Sequence, residues 1–127
     1  MGSQEKITPA SAFDIVRLIK ALGYSLEGIK AAWQRQAAFR LEVLSLVILT
    51  PIGVMLGRTG VERALLVGTL LLVLLVETLN SAIEAIVDRI GLERHPLSKQ
   101  AKDLGSAAVL ISLVIAGVTW LMVLIVK

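Results

Sequence analysis

The chain has 127 residues, enough for one domain, with 56% hydrophobic types and a mean hydropathy of +0.82. That is too apolar for disorder or for an ordinary soluble domain of this size, and the lack of cysteine with a single histidine excludes disulfide scaffolds, Cys-based metal sites and His clusters. Net charge is +3, and the 13 Lys and Arg residues gather around the apolar runs, a pattern of membrane topology rather than of nucleic-acid binding.

Residues 1–10 (MGSQEKITPA) are polar and read as a loose tail. No apolar run follows the early charges as in a signal peptide, and Lys6 stands where myristoylation wants Ser or Thr. Residues 12–35 are expected to form an amphipathic helix. Phe13, Val16, Ile19, Leu22, Leu26, Ile29 and Trp33 recur at spacings of three and four, with Asp14, Arg17, Lys20, Glu27 and Lys30 largely off that stripe. Gly23 and Gly28 weaken it. With Trp33 and Phe39 close to the first apolar run, this helix is expected to lie along the membrane surface.

Residues 41–56 (LEVLSLVILTPIGVML) are the first expected span, short against the roughly 20 residues a bilayer needs. Pro51 and Gly53 predict a kink in it, and Glu42 sits at its entrance. GRTG at 57–60 is an exit turn. Residues 64–87 are the second span, 88–103 a charged loop, and 104–126 a third span without any charge. In the third, Gly105, Ala108, Ser112 and Ala116 recur as a close-packing stripe for helix contacts. The fold class expected is therefore an all-α membrane protein, with one N-terminal amphipathic surface helix and three transmembrane helices in a single domain. Three spans put the termini on opposite sides. Lys6, Arg17, Lys20, Lys30, Arg35 and Arg40 then share a side with the basic 88–103 loop, which makes that side cytoplasmic.

The strongest chemical signal is ETLNSAIEAIVD. Glu77, Asn80, Ser81, Glu84 and Asp88 stand at i, i+3, i+4, i+7 and i+11, one stripe on a helix. Carboxylates near the end of a membrane helix are expensive in lipid and must face a partner helix, a wet cleft or a cation. Their oxygens suit a hard cation such as Mg²⁺, or one carboxylate acts as a base. The plainer reading is polar glue, with Asn80 and Ser81 bonding a neighbouring helix. One three-span chain has few helices with which to enclose such groups, so neighbouring subunits are expected to cover them. Lys102 and Asp103, at the mouth of the third span, suit phosphate and metal contact, although such residues are commonly mere interfacial anchors. No GxxxxGK[ST] or GxGxxG loop occurs, so nucleotide chemistry here needs a site unlike that of the common kinases.

VETLNSAIEAIVDRIG followed by AKDLGSAAVLI, together with the earlier IKALGYSLEGIKAAW and AAFRLE, resembles the signature of the bacterial integral-membrane diacylglycerol kinases. The likeness runs from about Arg17 to Trp120. It implies a homotrimer in the bacterial inner membrane with the N-terminus cytoplasmic. It implies active sites shared between neighbouring subunits, and transfer of the γ-phosphate of MgATP to diacylglycerol to give phosphatidic acid. Carried over, Glu77 matches the catalytic base and Glu84 a carboxylate binding the nucleotide's Mg²⁺. Lys102, Asp103, Glu93, Arg94 and His95 match nucleotide contacts, and Asn80 falls beside the catalytic glutamate. Arg17 and Tyr24 match nucleotide- or lipid-contacting positions on the surface helix. Positions lining the lipid side are Ala21, Leu22, Gly23, Ser25 and Leu26, then Lys30, Ala31, Ala32 and Trp33, then Ala38, Phe39, Arg40, Leu41 and Glu42. Met55, Arg63, Ser106 and Trp120 complete them. Gln36 departs from the pattern, standing where the family has a second metal-binding glutamate. Its amide oxygen still ligates Mg²⁺, without the charge.

Undecaprenol kinases share this architecture, although the AAW and AAFR segments resemble the diacylglycerol type more. A different class, a small proton- or cation-conducting oligomer with Glu77 and Glu84 lining a pore, leaves the charged loop and the amphipathic helix without a purpose.

Overall fold

The structure, a computed structural model, describes residues 15–126; the expected tail at 1–10 and positions 12–14 of the expected surface helix lie outside the described residues. Four α-helices follow one another: α1 (Ile15–Arg35), α2 (Ala37–Leu56), α3 (Gly60–Ile90) and α4 (Pro96–Ile125). The chain divides into two compact units, residues 1–31 and 32–127. In the first unit the large apolar side chains of α1 from Ile15 to Ile29 are exposed.

In the second unit α2, α3 and α4 are each long and apolar enough to cross a membrane. α3 is the central helix and packs on both α2 and α4. Its buried side chains are Leu66, Thr69, Val73, Glu77 and Val87, steps of three and four that trace one face of a helix, with one stretch left open between Glu77 and Val87. α2 contributes buried Phe39 and Gly53, and α4 contributes Gly105, Ser112 and Ala116. Three of the four small residues of the expected packing stripe are thus buried within their own chain, while Ala108 is exposed. Elsewhere the apolar side chains point outward: Leu44, Val47, Leu75 and Ile111 are more than half exposed. In a chain this hydrophobic, that surface belongs against lipid.

The helices outrun the apolar segments. Residues 88–103, expected as a loop, are mostly helical, and the connection shrinks to 91–95. Charge alone does not end a helix; caps and backbone chemistry do. Gly91 is the C-cap of α3, while α4 opens with Pro96 in its first turn, where the missing N–H is harmless. The N-cap is His95, whose Nδ1 accepts from the Leu97 backbone N–H at 3.1 Å. At the opposite end, Thr59 caps α3 by accepting from the Glu62 N–H at 3.1 Å, and Arg63 Nε donates to the Gly57 carbonyl at 3.0 Å. α2 continues through Pro51, so the first span has 20 residues and a length of about 30 Å.

Near that opposite end, Trp120 of α4 donates its Nε1–H to the Leu66 carbonyl of α3 at 3.1 Å. Gly53 of α2 completes the meeting point, because a Cβ there would stand 3.3 Å from Leu66 Cβ and 3.4 Å from the Trp120 ring. A larger residue at 53 would push α2 off the other two helices.

Candidate functional site

The polar stripe of α3 is graded. Glu77 is 8% exposed, Asn80, Ser81 and Glu84 are half-buried, and Asp88 is exposed. At 1.5 Å per residue, Glu84 stands about 10 Å and Asp88 about 16 Å along the axis from Glu77. The stripe therefore leads from the packed interior to the charged end of the α3–α4 hairpin. Glu77 sits on the core-facing side of α3, continuing the row Leu66, Thr69 and Val73. The chain's own helices cover Glu77, while Asn80 and Glu84 stay only half-covered within one chain.

The polar residues of the stripe bond within α3. Ser81 Oγ donates to the Glu77 carbonyl at 3.0 Å, and Asn80 Nδ2 donates to Glu84 Oε1 at 3.4 Å. Neither bond crosses to another helix of the same chain. Asn80 Oδ1 is buried without a donor. That amide therefore has one defined duty, toward Glu84.

At the end of the hairpin lies a cleft of about 750 Å³. Glu93, Arg94, His95, Lys102 and Asp103, all expected nucleotide contacts, line it together with Asp88 and Lys99. Lys102 Nζ donates to Asp88 Oδ1 at 2.7 Å, and Lys99 Nζ donates to Asp103 Oδ2 at 2.5 Å. Both pairs are substantially exposed. Exposed pairs are weak and yield to a better anion, so they hold two lysines and two carboxylates ready without locking them. Asp88 and Lys99 as cleft residues were missed in the sequence. The Lys99–Asp103 spacing of four on a helix was the available signal, whereas the Asp88–Lys102 pair depends on how the hairpin closes.

A deep carboxylate, a half-buried carboxylate and a lysine-lined cleft thus lie along one membrane hairpin. The sequence profile of the prokaryotic diacylglycerol kinases matches residues 23–124. A diacylglycerol kinase of Escherichia coli K12 is 51% identical over 108 residues, covering 85% of this chain and 88% of its own. One from Pseudomonas aeruginosa is 53% identical over 109 residues, covering 86% and 89%. One from Haemophilus influenzae is 48% identical over 106 residues, covering 84% and 90%.

The chain belongs to the prokaryotic diacylglycerol kinase family.

Membership in this family of lipid kinases brings ATP and, as a rule for kinases, a divalent metal on its phosphates. Among the described residues no group of three or more His, Cys, Asp or Glu is arranged to hold a metal. The described residues therefore form no metal cage by themselves. A carboxylate such as Glu84 fits a hard cation that arrives with phosphates and water as its other ligands. Gln36 is the N-cap of α2 but makes no side-chain capping hydrogen bond, so capping does not occupy its amide.

The other expected site residues are dispersed. Arg17, Ala21, Leu22, Gly23, Tyr24, Ser25, Leu26, Lys30 and Ala31 belong to the first unit. In the second, Ala32 and Phe39 are buried, and Arg40 Nη1 donates to the Trp33 carbonyl at 2.9 Å, tying the start of α2 to the last turn of α1. Ala38, Leu41 and Ser106 are exposed, and Glu42 is half-buried. Met55 and Arg63 flank the 57–59 turn, at the end away from the cleft, as does Trp120 near the close of α4.

Proposed function

We propose that this protein transfers the γ-phosphate of MgATP to the free hydroxyl of diacylglycerol, giving phosphatidic acid at the cytoplasmic face of the inner membrane. The supporting observation is the graded stripe, from buried Glu77 through Glu84 to the cleft holding Asp88 and Lys102. Diacylglycerol stays in the bilayer and ATP stays in water, so the reaction needs a deep group for the hydroxyl and shallow groups for the phosphates.

In this reading the Glu77 carboxylate takes the hydroxyl proton as that oxygen bonds to the γ-phosphorus. The bond from the γ-phosphorus to the β,γ-bridging oxygen breaks, and ADP leaves. Lys102 exchanges Asp88 for phosphate oxygens and steadies the negative charge on the transferring group. Lys102 reaches them as a point charge. Glu84 and Gln36 would hold Mg²⁺, which would neutralise phosphate charge. Asn80 keeps Glu84 aimed. The basic side of the chain faces the cytoplasm, α1 lies on the membrane surface, and three copies assemble so that Gln36 and α1 of one subunit serve a site completed by another. Family membership and the charge distribution support these last assignments.

The test is incorporation of labelled phosphate from ATP into diacylglycerol in mixed micelles, with and without Mg²⁺, beside undecaprenol. Labelled phosphatidic acid that depends on Mg²⁺ is expected. Preferential labelling of undecaprenol would reassign the lipid, and no labelling of either would overturn the reading.

A further inference from the structure

Gly105 sits in the third turn of α4, buried, directly across from Asn80 on α3. A Cβ at position 105 would run into Asn80 Oδ1 and come within 3.3 Å of its Cγ. The next neighbour, Ile83 Cδ1, lies at an ordinary 3.8 Å. The glycine therefore does not make room for helix backbone. It makes room for one amide.

That amide has two ends with opposite needs. Oδ1 is buried with no donor, a costly state for a polar atom. Nδ2 donates to Glu84 Oε1 at 3.4 Å. Turning the amide over would set oxygen against carboxylate oxygen. With Oδ1 seated where residue 105 has no side chain, the NH₂ is directed at Glu84. The hydrogen bond in turn fixes which way the carboxylate points.

We propose that Gly105 is a positioning residue for the nucleotide-bound metal: its missing side chain seats Asn80, and Asn80 aims the Glu84 carboxylate. The inference rests on the reading in which Glu84 binds that metal. An alanine at 105 displaces the end of a short side chain rather than backbone, and alanine is the better helix former, so α4 and its packing survive. What is lost is the hydrogen bond behind the metal ligand. Partners that orient a metal ligand are worth about 10–100-fold in metal affinity.

The experiment uses the full chain in detergent micelles with Mn²⁺ as the probe. Its binding is read from the loss of EPR signal beyond that caused by the same Mn²⁺ and β,γ-methylene ATP without protein, a nucleotide that cannot be turned over. The forms compared are the parent, Gly105→Ala, Asn80→Ala, the Gly105→Ala/Asn80→Ala double and Glu84→Gln. Expected is Mn²⁺ binding weakened about tenfold in Gly105→Ala and similarly in Asn80→Ala. The double should be no worse than Asn80→Ala, because without the amide a Cβ at 105 meets nothing that matters. The Mg²⁺ concentration for half-maximal turnover should rise in step.

Unchanged Mn²⁺ affinity in Gly105→Ala, while Glu84→Gln weakens it, overturns the proposal. So does a double whose defects add, since additivity means that 105 acts through packing and not through Asn80. If Gly105→Ala does not fold, the double should, because the obstructing amide is gone; failure of both to fold also overturns it. No effect of Glu84→Gln would instead sink the metal role of Glu84, and with it the reading on which this inference stands.

Discussion

Lys102 of α4 reaches back across the hairpin and donates to Asp88 of α3 at 2.7 Å, fourteen residues away in sequence. Two roles meet in this contact. It joins the solvent ends of α3 and α4, and it occupies the lysine best placed for a phosphate in the cleft. Both side chains are about half exposed. Such a pair is screened by water and salt, so it holds the lysine loosely. In the proposed reaction ATP with its metal would compete with a single carboxylate for Lys102, and a resident pair this weak would permit the exchange.

Removing the competitor should therefore help ATP a little. Asp88→Asn is expected to lower KM for ATP by less than about fivefold, the scale of a weak exposed pair. Lys102→Met should raise it by about tenfold or more, because a charge-assisted contact to phosphate is stronger than the pair it replaces. Steady-state kinetics at several salt concentrations check both, and the Asp88→Asn benefit should shrink as salt rises. A raised KM in Asp88→Asn would make Asp88 itself a nucleotide or metal ligand.

Glu77 is the deepest carboxylate of the stripe, buried on the packed face of α3. Glu77→Gln keeps its shape and removes its basicity. Turnover should fall by about 10²–10⁴-fold, the usual worth of a positioned base. Folding should not suffer, because a neutral amide is cheaper to bury than a carboxylate. Turnover and thermal unfolding measured on one preparation decide it. A variant that loses turnover and stability together would reduce Glu77 to a packing element.

The sequence carried the helices and the membrane because apolar runs of this length have few other solutions, and 56% hydrophobic content leaves no soluble core to hide them in. The stripe from Glu77 to Asp88 was readable because helical periodicity alone aligns it. Element ends were not. The charges of 88–103 suggested a loop, yet Gly91 and the His95–Pro96 pair restrict the break to five residues, 91–95. Nor was the use of the small residues in α4 readable. Gly105, Ser112 and Ala116 face α3 of their own chain, and spacing cannot say which helix a stripe will meet. The seat of Asn80 against Gly105 joins positions 25 apart and exists only once the hairpin has closed.

Trp120 tests how far a residue near the distant end of α4 acts on the site. Its indole N–H serves the Leu66 carbonyl, which also accepts from Thr69 Oγ1 at 3.1 Å. Trp120→Phe keeps a ring over Gly53 and removes the hydrogen bond. Stability should drop by about 0.5–1.5 kcal/mol, the net worth of one such bond. Because Lys102 lies about 27 Å away along α4, KM for ATP should stay where it was. Unfolding midpoints in matched micelles and an ATP titration give both numbers. A large change in KM for ATP would mean that the two ends of α4 are coupled.

Shared sites make a separate demand. Glu77→Gln subunits are expected to be nearly inactive, and Lys102→Ala subunits to turn over little at ATP concentrations well below their raised KM. If a working site draws groups from two subunits, mixed assemblies contain some sites with every group intact. Co-assembly of the two variants should then restore part of the parent turnover, in proportion to the mixing ratio. Verified mixed assemblies with no recovery would place each site within a single chain.

Gln36 is where this chain departs from the pattern it otherwise resembles, and its amide, unused in capping α2, is free to turn toward a ligand. A metal held by the Glu84 carboxylate and a neutral amide feels one negative charge fewer than a metal held by two carboxylates. Affinity for hard cations is tuned by ligand charge, so Gln36→Glu should lower the Mg²⁺ concentration that gives half-maximal turnover. Two effects limit the gain. ATP brings most of the ligands itself, and the cationic side chains of Arg35 and Arg40, close in sequence, compete for a new carboxylate. Arg40 is already engaged with the Trp33 carbonyl, which leaves it less able to do so. The shift is therefore expected to be a few-fold, about the scale of one partly screened charge. A Mg²⁺ titration at fixed ATP, both forms in the same detergent, measures it. A half-saturation point that stays put or rises would remove position 36 from the metal and leave Glu84 as the chain's one ligand.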